Sequence, residues 1–150
     1  MQPLMRLAIA LLVPRRRLGV GLVLFNEAEQ VLLLRHVFHS RFPWGLPGGW
    51  LGAHESPAEC ALRELREETG LNGQLGPVLH VDSVRPFLDV NIAYLVTAAA
   101  GEIRPNAEIL EADWFHPNAL PAPLLRFHYE AVIRGLGLTR QRAAIGADLL

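Results

Sequence analysis

Residues 56–70 constrain this chain more than any other stretch, because they read as a helix fenced at both ends. Ser56 can accept a hydrogen bond from the backbone three residues on, and Glu59 completes an S-x-x-E capping box. Pro57 fits the first helical position, where no N–H is needed, and Gly70 fits the left-handed residue that stops a helix. The spacing predicts a helix over 57–69. At about 100° per residue, Ala58, Ala61, Leu62 and Leu65 share a stripe that should face a core, while Glu64, Glu67 and Glu68 crowd a neighbouring flank. Like charges three and four residues apart each cost a helix a few tenths of a kcal/mol. Two arrangements offset that cost: a solvated face with Arg63 and Arg66 as ionic partners, or a hard divalent cation such as Mg²⁺ held by carboxylate oxygens.

The rest of the chain supplies strands for that helix to pack on. Leu18 to Phe25 reads as a buried strand, residues 26–29 as a polar turn, and Val31 to Arg35 as a returning strand. Residues 37–56, rich in Gly and Pro, read as a long ordered loop. Pro77 to Arg85, Val90 to Ala98 and Asp113 to Phe115 are further strand candidates. A terminal helix is expected over Leu124 to Leu136, with Leu124, Leu125, Tyr129, Val132 and Ile133 on its apolar side. Strands and helices mix without regular βαβ alternation, so one α/β domain over residues 1–150 is expected, an α/β/α sandwich around a mixed sheet.

Composition narrows the chemistry. All 14 basic residues are arginine, which removes a Walker A lysine or a Schiff base. A net charge of −1 argues against a nucleic-acid groove but leaves room for a small phosphorylated ligand. The single cysteine, Cys60, makes neither an internal disulfide nor a multi-cysteine zinc site, and a cytoplasmic setting is expected. The apolar run Leu7 to Val13, closed by Pro14 and three arginines, is far too short to span a bilayer. It reads as a packed or interface segment within an extension over residues 1–17 and makes a homodimer plausible.

The surroundings of the helix decide between the two arrangements. From Gly49 to Leu71 the chain reads G-x5-E-x7-R-E-U-x-E-E-x-G-U, with U apolar, through Glu55, Arg63, Glu64, Leu65, Glu67, Glu68 and Gly70. Seven fixed letters at about 6–7% each coincide by chance on the order of once in 10⁸ windows, so a merely solvated acidic face does not account for the pattern. The stretch resembles the Nudix box, directly over 23 of the 150 residues and more loosely from Leu18 to Phe115 through strand order and the Trp44–Gly49 approach. The resemblance implies a Nudix fold with a loop–helix–loop catalytic box over 49–71, and Mg²⁺-dependent cleavage of a diphosphate linkage, with Mn²⁺ as a substitute. It further implies that Glu64, Glu67 and Glu68 bind the metal, with Glu55 assisting or holding the loop. Arg63 would orient the carboxylates. Gly48 and Gly49 would let metal or phosphate approach the main chain. Which glutamate takes the proton from the attacking water stays open.

Other residues are candidates of lower rank. Arg35 ends a strand where similar proteins place a phosphate-contacting arginine, and Trp44, like Phe42, can stack on a base or simply pack. Arg41 and Arg85 are weaker, and His36 with His39 lacks the company a zinc site needs. Glu108 and Glu111 stand in a late acidic stretch that can approach the site. Pro86, 16 residues past Gly70, lies near the position at which some ADP-ribose-cleaving Nudix proteins carry a proline. ADP-ribose or a nucleotide sugar is therefore ranked first as substrate and a nucleoside triphosphate next. The alternative is a non-catalytic nucleotide-binding sensor, disfavoured because the box is complete.

Overall fold

The computed structural model describes residues 15–84 and 89–147. Leu7 to Val13, Arg85 and Pro86 lie outside the described residues. β1 (Leu18–Val23) and β2 (Val31–His36) are joined by a polar turn in which the Asn26 side chain accepts hydrogen bonds from the Ala28 and Gln30 amides. After β2 come β3 (Trp44–Gly45), α1 (Pro57–Thr69), β4 (Asn72–Val84), β5 (Asp89–Ala100), β6 (Ile109–Phe115), a short 3-10 turn (Pro117–Ala119) and α2 (Arg126–Ala147).

The strands form two three-stranded sheets. One has the order β1-β5-β4, with β1 parallel and β4 antiparallel to β5. The other, β3-β2-β6, is antiparallel throughout. The loop after β3 runs along β1, with Val20 N–H to Gly49 O at 2.9 Å, Leu22 N–H to Pro47 O at 2.9 Å and Leu51 N–H to Leu18 O at 2.8 Å. This pairing fixes the approach to the box against the first strand.

A helix covers each face, which explains why the first two strands are apolar on both sides. Leu22, Leu24, Leu32 and Leu34 pack with Cys60, Ala61 and Leu65 of α1. The alternate residues Val23, Val31 and Leu33 pack with Phe127, Ala131 and Val132 of α2. The expected α/β sandwich with a mixed sheet is present.

Several details differ from expectation. β3 lies inside the Gly- and Pro-rich stretch expected as loop; its two residues, Trp44 and Gly45, find partners in Arg35 and Leu34 of β2. β4 begins five residues before Pro77, because β5 pairs with the turn-like stretch from Asn72 and register shifts absorb Gly76 and Pro77. α2 runs on past Gly135 and Gly137, and Gly135 is where the helix approaches the sheet, since a Cβ there would press on Val23, Leu79 and Phe25 at 3.0–3.2 Å. Its buried side is Phe127, Ala131 and Val132, whereas Tyr129 and Ile133, placed on the apolar stripe from spacing, are 49% and 40% exposed.

Candidate active site

α1 forms as its end signals require. Ser56 accepts from Glu59 N–H at 3.3 Å, Glu59 accepts from Ser56 N–H at 2.8 Å, and Gly70 closes the helix at φ 76°. The buried face is turned relative to the expected stripe. Ala61 and Leu65 are in the core, but Ala58 and Leu62 are exposed, and Cys60, Glu68 and Thr69 are buried instead. That rotation carries the carboxylate flank toward the sheet. The Glu64 side chain is 14% exposed and that of Glu68 7%, while Glu67 keeps 51%.

Arg63 organises the rest. Its guanidinium donates to both oxygens of Glu55, at 2.7 and 2.9 Å. It also reaches Glu64 Oε1 at 2.8 Å, Glu67 Oε2 at 3.0 Å and the Trp50 carbonyl at 3.3 Å. Glu55 in turn accepts from Gly52 N–H at 2.7 Å, so loop and helix are tied through one carboxylate. The Arg63 contact and the Gly52 amide hold the Glu55 carboxyl down at about 2. The fork geometry of arginine suits this hub, since a lysine presents no planar pair of donors.

Glu68 sits differently. Its Oε2 accepts from Gly48 N–H at 2.8 Å, and Oε1 lies 3.8 Å from His36 Nδ1. Burial pushes its carboxyl up to about 8, against the lowering effect of the Gly48 amide and with the charges of Glu64, Glu108 and Glu67 adding to the rise. Burial likewise raises Glu64. His36 is pushed down to about 4 by burial and by His39, so it faces Glu68 as a neutral ring.

The two glycines have specific reasons. Gly48 adopts φ 153°, with the Val20 backbone where a side chain would begin. At Gly49 an added Cβ would fall inside contact distance of the Glu64 carboxylate, 2.9 Å from its Oε2.

The donor set fits a hard divalent cation. It consists of carboxylate oxygens, with Glu64 and Glu68 largely withdrawn from water and Glu68 facing only the Gly48 amide and a neutral His36. Among the described residues no three His, Cys, Asp or Glu side chains already converge as a cage, because Glu64 and Glu67 turn to Arg63. Holding an ion therefore requires these two to share their oxygens between Arg63 and the metal.

The remaining candidates are distributed as follows. Arg35 is paired with Glu111 at 3.5 Å, both about half exposed, and Trp44 packs edge-on against Phe115 with ring centres 4.8 Å apart. Glu108 is close enough for its charge to raise Glu68. Cys60 is buried and its thiol is pushed up to about 11 by desolvation, which makes it an inert core residue. Sequence reading missed the approach of His36 to Glu68 and the placement of His128 behind Gly45. Both contacts join segments far apart in the chain, β2 with α1 and the β3 loop with α2, and no local pattern signals either.

Comparison with known proteins agrees with this geometry. A family profile described as NUDIX domain matches residues 15–135. A protein named putative 8-oxo-dGTP diphosphatase from Bacillus subtilis (strain 168) is 31% identical over 105 residues, covering 69% of this chain and 68% of that one. An ADP-ribose pyrophosphatase from Methanocaldococcus jannaschii is 32% identical over 96 residues, covering 61% of this chain and 55% of that one. The crystal structure of a MutT NUDIX hydrolase from Burkholderia pseudomallei superposes with a TM-score of 0.70 at 26% identity, over 81% of this chain and 98% of that one. With the box complete and the fold matched over most of its length, the chain belongs to the Nudix hydrolases.

Proposed function

We propose that this chain hydrolyses a diphosphate linkage in a small nucleotide, with Mg²⁺ or Mn²⁺ held by Glu64, Glu67 and Glu68. The observation that carries this reading is the carboxylate flank of α1, gathered around Arg63 and set against the Gly48–Gly49 loop. When bound, a divalent ion screens the diphosphate charge and lowers the pKa of an attacking water. The protein's own residues do the rest. Arg63 and Glu55 hold the loop to the helix so that the carboxylates keep their places as substrate arrives. The Gly48 amide fixes the Glu68 carboxylate, and the bare main chain at Gly49 lets the Glu64 carboxylate lie directly against the loop. A carboxylate of this flank accepts the proton of the water.

The substrate ranking keeps ADP-ribose or a nucleotide sugar first and a nucleoside triphosphate second. The relatives named for ADP-ribose and for 8-oxo-dGTP support that pair of classes without choosing between them. The test is a screen of the purified chain with Mg²⁺ over ADP-ribose, UDP-sugars, dinucleoside polyphosphates and nucleoside triphosphates, with both products identified by mass spectrometry. Release of AMP and ribose 5-phosphate from ADP-ribose is the expected result. A hundredfold preference in kcat/KM for a triphosphate overturns the ranking, and inactivity on every diphosphate compound overturns the reading.

A further inference from the structure

We propose that His128 is a specificity-determining residue of this site, donating a hydrogen bond from its Nε2–H to an acceptor on the base of the nucleotide substrate. The inference rests on the hydrolase reading above and adds the part of the substrate that the box does not read.

The tautomer is fixed by a backbone contact. Leu46 N–H donates to His128 Nδ1 at 3.3 Å, so Nδ1 supplies a lone pair and the ring proton is on Nε2. No described residue accepts that proton, and no buried side-chain nitrogen or oxygen among the described residues lacks a partner. On this half-buried ring Nε2–H is therefore a donor with no protein partner among the described residues. Desolvation, with His36 and His39 adding to it, pushes the ring down to about 4 and keeps it neutral.

The location joins this donor to the box. Leu46 and Gly48, two residues apart on one loop, hold His128 of α2 and Glu68 of α1 respectively. His36, with its Nδ1 3.8 Å from Glu68, is also close enough for its charge to act on His128. Gly45 makes room for the imidazole, since a Cβ there would come 2.7 Å from His128 Cε1. Phe127, the preceding residue, is buried in the core and packs edge-on against the His128 ring with centres 5.7 Å apart. One uncharged, oriented donor suits a neutral acceptor on a base better than a phosphate, which would call for a cation. A site built to hydrogen-bond one group also rejects ligands lacking it.

Two substitutions separate the donor from the fold. His128→Asn keeps an acceptor near Nδ1 for Leu46 but is too short to present the outer donor, whereas His128→Gln can place an amide N–H near Nε2. Calorimetric titration of the full chain with AMP, GMP, CMP, UMP and, as the ligand without a base, ribose 5-phosphate should reveal a preference for one or two nucleotides. His128→Asn should weaken the preferred nucleotide about three- to tenfold, the size of one neutral hydrogen bond, and leave ribose 5-phosphate unchanged. His128→Gln should recover part of the loss. Equal weakening of ribose 5-phosphate, no weakening in a cooperatively melting His128→Asn protein, or indifference of the wild type to the base would overturn the proposal. Absence of any hydrolysis by the wild type would instead remove the hydrolase reading, so the two failures are distinguishable.

Discussion

Gly49→Ala is the substitution that best separates the site from the fold. The backbone at Gly49 lies outside the left-handed region, so alanine meets no conformational penalty there. Its methyl group, however, falls inside contact distance of Glu64 Oε1 and Cδ and 2.9 Å from Oε2. The obstacle is the far end of a flexible side chain, which can swing away at small cost to folding. The expected change in stability is within about 1 kcal/mol, as for a small surface change. The carboxylate must move by about 1 Å, and a misplacement of that size at a reacting centre costs on the order of a hundredfold in rate. Retreat of Glu64 also breaks its 2.8 Å contact with Arg63, which loosens one arm of the hub. The assay is kcat/KM on the best substrate at saturating Mg²⁺, beside a urea denaturation curve. A hundredfold loss of activity with an almost unchanged midpoint is the expected pair of results. Wild-type activity would refute the placement of Glu64 beside the reacting phosphate, and a collapse of stability in proportion to activity would make Gly49 a folding residue only.

Arg63→Lys should lower activity about ten- to a hundredfold, because one ammonium cannot replace the fork that spans Glu55, Glu64 and Glu67; steady-state kinetics will read it. Mg²⁺ or Mn²⁺ should raise the melting temperature of the wild type, by an amount equivalent to about 2.7 kcal/mol at a hundred times its dissociation constant, and indifference to millimolar metal would return Glu64, Glu67 and Glu68 to a solvated face. Acid stability should depend on His128, whose folded pKa of about 4 lies below its ordinary 6.5. The unfolded chain binds the proton first, so this contribution is complete above pH 6.5 and is lost as pH falls through 4. At 1.36 kcal/mol per unit the full window is worth at most about 3 kcal/mol, and His128→Asn should flatten that part of a denaturation-versus-pH curve.

The helix was legible because its signals are local. Ser56, Pro57, Glu59 and Gly70 act within one turn of where they stand, and the structure forms the helix at the predicted bounds. The first two strands were legible for a related reason, since runs apolar on every residue need cover on both faces and α1 and α2 supply it. What escaped depends on contacts between distant segments. β3 is two residues held by β2, and the early part of β4 is recruited by β5 across the turn-like Asn72–Gly76 stretch. The rotation of α1 that buries Glu68 and exposes Leu62 follows from how the helix seats on Leu22, Leu24, Leu32 and Leu34, which no heptad count contains. The box letters named the carboxylates, but how far each is exposed was settled by packing, which left Glu67 open and Glu68 closed. His128 gave no signal at all, because only the folded chain brings α2 behind Gly45.

The central claim is that the α1 carboxylates hold the divalent ion on which hydrolysis depends, and a metal titration of the reaction tests it most directly. Initial rates on the best substrate are measured from EDTA to millimolar Mg²⁺ for the wild type, Glu67→Gln and Glu68→Gln, each shown by melting to be folded. The wild type should be inactive in EDTA, and both variants should be slower by several orders of magnitude and require more Mg²⁺ to reach half their maximum. Glu68→Gln should melt no lower than the wild type without metal, since burial already disfavours the charged form of this carboxyl and glutamine keeps an acceptor for the Gly48 amide. Hydrolysis that persists in EDTA, or near-normal rates for both variants at low Mg²⁺, would contradict the account.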